Sequence, residues 1–89
     1  MKKEKFIEEM SKLKGYRQEG NWHCFDEEPL KGVVSSEGVS HKIKFSRTHV
    51  YVRYRGKVME REGHLPISFL ADSNSFKEFF VLLGLSMYA

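Results

Sequence analysis

Apolar residues at Phe6, Ile7, Met10 and Leu13 fall at i, i+1, i+4 and i+7 with Lys and Glu between them, which predicts an amphipathic helix over residues 2–14. Gly15 follows at once and is expected to close it as a C′ residue. In the middle of the chain the period shortens to two. His41, Ile43 and Phe45 alternate with Lys42, Lys44 and Ser46, predicting a strand from Val39 to Ser46. Val50, Val52 and Tyr54 alternate with His49, Tyr51, Arg53 and Arg55, predicting a second strand from His49 to Arg55. Pairing Phe45 with Val50, Ile43 with Val52 and His41 with Tyr54 gathers the apolar residues on one face. The same register sets Lys44 beside Tyr51 and Lys42 beside Arg53 on the other, whereas a one-residue slip mixes the two faces.

The flanking segments read less sharply. Gly20 and Asn21 interrupt any long strand after Tyr16, leaving a short one at Trp22–Phe25, whose two aromatic ends have opposite parity. Asp26-Glu27-Glu28-Pro29 has the composition of an exposed loop, Leu30 to Ser35 resumes with the β-branched pair Val33-Val34, and Ser36-Glu37-Gly38 reads as a hairpin turn. After a turn at Arg55-Gly56-Lys57, Val58 to Glu62 can return as a strand and bring Glu60 or Glu62 beside the arginines. Leu65 to Ala71 alternates again and is expected as a last strand, held to an edge by Pro66. Ser75-Phe76-Lys77-Glu78 matches the S-x-x-E capping box. The helix that follows carries the stripe Phe76, Phe79, Phe80 and Leu83 and is expected to stop at Gly84. The expected fold is α+β in a single domain over residues 1–89: an N-terminal helix, an antiparallel sheet of four to five strands built from hairpins, and a C-terminal helix. Both helices should lie on the apolar sheet face.

Size and composition agree with one packed unit. The chain has 89 residues and is 40% hydrophobic, 13% aromatic and 30% charged, too apolar for a disordered segment and too short for two independent cores. Cys24 is its one cysteine, so no internal disulfide can form. The longest apolar run, Phe79 to Leu85, falls well short of a membrane span, and Glu8-Glu9 breaks any apolar signal segment at the start. A soluble cytoplasmic protein with no membrane attachment is expected. The apolar tail Leu85 to Ala89 is expected either to pack back on the domain or to mediate a homodimer.

Charge changes the picture most. Net charge is only +3, yet residues 41 to 57 hold six Lys or Arg and no acid, so the remainder of the chain is net negative. Lys42, Lys44, His49, Tyr51, Arg53 and Arg55 share the predicted outer face, with Arg47 and Lys57 in the turns at its ends. Clustered cations attract phosphates, and a ring such as Tyr51 among them can stack on an unpaired base. Exposed strands also carry charge simply to discourage edge pairing. Acids would serve that purpose equally well, and here there are none.

Other constellations add little. His23 and Cys24 lack the further spaced ligands of a zinc site, and Asp26-Glu27-Glu28 reads as a solvated turn, so no metal or cofactor is expected. His41 is placed in the core in a hydrogen-bonded structural role. His49, on the basic face, is the one histidine positioned for RNA chemistry, but no partner for it is evident and no catalytic residue is assigned. The stretch Arg17 to Phe25 resembles the first strand of HicA-type RNA-cleaving toxins, and Leu82-Leu83-Gly84-Leu85 resembles their closing helix. That family's catalytic histidine falls where this chain has Trp22, so the resemblance implies no catalytic residue here. The sequence therefore ranks a non-enzymatic module binding nucleic acid or another anionic partner first. An inhibitor or accessory protein of phage type that engages an acidic protein surface comes second, and an RNase-type toxin third.

Overall fold

The computed structural model describes residues 1–29, 33–34 and 40–87. Helix α1 (Lys3–Ser11) leads to β1 (Arg17–Glu19) and β2 (Trp22–Phe25), then to the short strands β3 (Glu27–Glu28) and β4 (Val33–Val34). The long strands β5 (Ser40–Phe45), β6 (His49–Arg55) and β7 (Glu60–Pro66) follow, and α2 (Ile67–Asp72) and α3 (Phe76–Ser86) complete an α+β fold. Five strands form one antiparallel sheet in the order β1-β2-β5-β6-β7, and β3 and β4 form a separate two-stranded ladder.

The central hairpin has the register that its alternation predicts, with Phe45 opposite Val50, Ile43 opposite Val52, His41 opposite Tyr54, Lys44 opposite Tyr51 and Lys42 opposite Arg53. Its inner residues meet both long helices. Phe6 of α1 packs edge-on against Phe45, with ring centroids 5.9 Å apart, and Phe80 of α3 meets His41 at 5.8 Å and Phe25 at 6.0 Å. The two helices join each other through Phe6, which stacks on Phe76 at 4.7 Å and meets Phe79 edge-on at 5.3 Å. Phe6, Met10, Phe25, Ile43, Val50, Leu83 and Phe79 are fully buried in this one cluster.

Several boundaries differ from the expectation. Gly20 and Asn21 do not merely interrupt a strand: they are the two-residue loop of a β1–β2 hairpin in which Glu19 faces Trp22. Gly20 sits at φ +61, the first-position glycine that a type II′ turn demands. Glu27 and Glu28 are not loop residues but pair with Val34 and Val33, and the partner of β5 is β2 rather than the Val33-Val34 strand. The Ser36-Glu37-Gly38 turn lies outside the described residues, as do Tyr88 and Ala89.

Leu65 to Ala71 is not a separate strand. Residues Glu60–Pro66 form one continuous strand, and the chain turns helical at Ile67. Pro66 lacks the N–H that would continue the ladder, and the segment buries Leu70 while leaving Phe69 43% exposed, so helical packing overrides the apparent alternation. The first helix ends at Ser11, before Gly15. At the other end α3 runs through Gly84 to Ser86, so that glycine does not stop it. Ser75 caps α3 as expected, its Oγ accepting from the Glu78 N–H at 3.1 Å. The Glu78 carboxylate reaches back one residue further, to the Asn74 N–H at 3.1 Å. Gly63 on the inner side of β7 is where the end of α3 presses closest: a Cβ there would lie 2.9 Å from the Met87 nitrogen and the Ser86 carbonyl carbon.

Candidate functional site

Strand alternation decides what the outer face of the sheet displays. Registry across β1, β2, β5, β6 and β7 brings Glu19, Trp22, Lys44, Tyr51 and His64 abreast in one row. A second row holds Arg17, Cys24, Lys42, Arg53 and Glu62, and a third holds Ser40, Arg55 and Glu60.

Lys44 is the centre of the first row. Its Nζ lies 4.8 Å from the Trp22 ring centroid and 5.2 Å from that of Tyr51, while the Arg53 guanidinium lies 5.1 Å from Trp22. Each such contact stabilises an exposed cation by about 0.5–1 kcal/mol and holds the rings and charges in fixed relation. Beyond Tyr51 the rings continue: His64 is 6.1 Å from Tyr51 and 5.6 Å from His49, and His49 is 6.1 Å from Tyr51. The His49 Nδ1 and the Thr48 hydroxyl share a 2.8 Å hydrogen bond that fixes the imidazole. Trp22, Lys44, Tyr51, Arg53, Glu62 and His64 together line a shallow depression of about 410 Å³.

The cations of the second and third rows are largely spoken for. Arg53 Nε donates to Glu62 at 2.8 Å, Arg55 pairs with Glu60 at 3.1 Å, and Lys42 lies 3.7 Å from Glu19. Glu19 also accepts from Arg17 Nε at 2.9 Å, and this bond, with Lys42 nearby, holds its carboxyl below the ordinary range. Arg17 reaches Asp26 as well, at 3.2 Å. Arg47 and Lys57 stand exposed in the turns at the two ends of the β6 strand. Among the described residues of the hairpin, the cations without a carboxylate partner are therefore Lys44 on the face and Arg47 and Lys57 in the turns.

Three titratable groups of this sheet are withdrawn from surface chemistry. Cys24 is on the outer face yet fully buried, and burial, reinforced by Glu19, pushes its thiol pKa up, which makes it a poor nucleophile. His41 lies on the inner face, 3% exposed, stacked on Phe25 at 5.2 Å and tilted against Tyr54 at 5.2 Å. The expectation of a hydrogen-bonded His41 is corrected: its Nδ1 has no partner among the described residues, and the Glu28 carboxylate is 3.8 Å from Nε2. Burial lowers its pKa to about 4, so the ring is neutral and packs as an aromatic. His23, also inward, shares a 2.8 Å hydrogen bond with the Tyr16 hydroxyl, and burial, with Lys3 contributing, lowers its pKa.

The structure thus brings Lys42, Lys44, His49, Tyr51, Arg53 and Arg55 onto one face, and adds Trp22, Glu19 and His64, which the sequence reading did not place there. Trp22 could have been found from parity alone, since Phe25 three positions later must face the core. Among the described residues no group of three or more His, Cys, Asp or Glu converges as metal ligands, and no helix is long and apolar enough to cross a membrane. No family model, curated protein or solved structure matches the chain.

Proposed function

We propose that the chain is a binding module that engages nucleic acid through the outer face of its sheet. One observation carries the reading: the Lys44 ammonium flanked by the exposed-side rings of Trp22 and Tyr51. Rings supply stacking surfaces for bases and the cation supplies a phosphate contact, a combination that binds without requiring bond-making chemistry. The test is a titration with labelled oligonucleotides at low and at high salt, comparing the wild type with Lys42→Gln/Lys44→Gln. Wild-type affinity should fall with salt, and the variant should bind more weakly with a slope shallower by up to about 1.4 for the two lost cations. Failure of every oligonucleotide to bind at low salt would reject the reading.

A second reading is favoured by the ion pairs. Arg53–Glu62, Arg55–Glu60 and Lys42–Glu19 cancel part of the field and give the face the mixed charge of a protein contact surface. A non-enzymatic inhibitor or accessory protein that docks on an acidic protein site would use the same rings as anchors. It predicts one tight protein partner and weak oligonucleotide affinity.

A further inference from the structure

Resting on the nucleic-acid reading, we infer that the ligand is a single strand that crosses the sheet at right angles to the β-strands. Two unpaired bases lie on Trp22 and on the Tyr51–His64 pair, and the backbone between them passes over Lys44.

The row itself gives the path. Trp22, Lys44, Tyr51 and His64 come from four neighbouring strands, so at ~4.8 Å per strand they span about 14 Å in a line across the sheet. Ring, cation, ring is the order in which a single strand presents base, phosphate and base. A duplex keeps its bases stacked inside and would set sugars and phosphates against the indole and phenol, leaving both rings without a stacking partner.

Carboxylates oppose a path along the strands toward Arg55. A polyanion running along β5 and β6 from Lys44 toward Arg55 meets Glu62 and then Glu60, each already holding an arginine. The row from Trp22 to His64 contains no acid, and Glu19 bounds it beyond Trp22. Lys44 is the moving part: its ammonium, now between two rings, turns outward to the phosphate as bases take its place against them.

The experiment measures the anisotropy of end-labelled oligothymidylates of increasing length, with a duplex of matched length as comparison, all at low salt. Affinity should climb steeply to roughly two to four nucleotides, short for a sheet-based single-strand site, and then rise only slowly. The single strand should bind at least about tenfold more tightly than the duplex, and Trp22→Ala and Tyr51→Ala should each weaken binding roughly ten- to hundredfold. Trp22→Phe and Tyr51→Phe, which keep a ring, should retain most of the affinity and show that the alanine losses are not misfolding. Equal binding of duplex, steady growth of affinity with every added nucleotide, or alanine variants that bind like the wild type would overturn the crossing path while leaving the nucleic-acid reading intact. Absence of binding by all probes would overturn both.

Discussion

The two faces of the β5–β6 hairpin are built from alternate residues of the same thirteen or so positions, yet they obey different physics. On the inner side Ile43, Val50 and Val52 are buried against α1 and α3, and even the imidazole of His41 is dry. On the outer side Lys42, Arg53 and Arg55 each find a carboxylate, and Lys44 finds two rings. The inner face draws its stability from apolar area removed from water, which is large and is not screened by salt. Exposed ion pairs and cation–π contacts contribute little to folding, and their role is to set what the surface attracts. Stability and recognition are therefore separable in this molecule, by a side-chain period of two.

Truncating Phe79, the fully buried α3 ring that packs edge-on against Phe6 of α1, should test that separation hardest. Phe79→Ala is expected to cost about 3–5 kcal/mol, read as a fall in the urea midpoint, because the cavity lies between both helices. A loss below 1 kcal/mol would mean that α3 is not fastened to α1 through this ring.

Acid should attack the same face next. His41 has a pKa of about 4 when folded against about 6.5 when unfolded, so the unfolded chain binds its proton first as pH falls. The stability due to the neutral ring is fully present above pH 6.5 and is lost as pH falls through about 4, on the order of 3 kcal/mol in all. His41→Gln should lack this part of the acid dependence. Wild type and variant losing equal stability between neutral pH and pH 4 would assign the effect to other groups.

Gly63→Ala probes the seam between β7 and α3, where an added methyl would run into the Ser86 hydroxyl and, beyond it, the backbone of Ser86 and Met87, which cannot swing aside. A cost of about 1–3 kcal/mol is expected in urea unfolding, with oligonucleotide affinity unchanged. The smallest stability effect should come from the outer face. Glu60→Gln/Glu62→Gln releases Arg55 and Arg53 and should change folding by less than about 1 kcal/mol. Oligonucleotide binding should nevertheless tighten, with the salt slope steepened by up to about 1.4 as two cations become available to phosphate. Tighter binding without any change in salt slope would contradict the electrostatic account.

The same contrast explains what could be read from residue order. The β5–β6 register was legible because one pairing alone keeps Phe45, Ile43 and His41 with Val50, Val52 and Tyr54, and the turn between them is short. Glu60 and Glu62 beside the arginines followed from the next turn. Trp22 and Glu19 were not placed beside Lys44 because they reach it through the β2–β5 pairing, some twenty residues away along the chain, which no local period records. Gly20-Asn21 looked like a break because its meaning depends on having a strand on each side. Leu65, Ile67 and Phe69 alternated by coincidence, and only the burial of Leu70 reveals a helix there.

Trp22 is the chain's one tryptophan, and it stands at one end of the ring–cation–ring row with two cationic side chains against it. Anything that settles on that row must disturb the surroundings of the sole indole. The protein accordingly carries its own optical reporter: a shift or quenching of its intrinsic fluorescence would register occupancy of this face directly, without a dye on either partner.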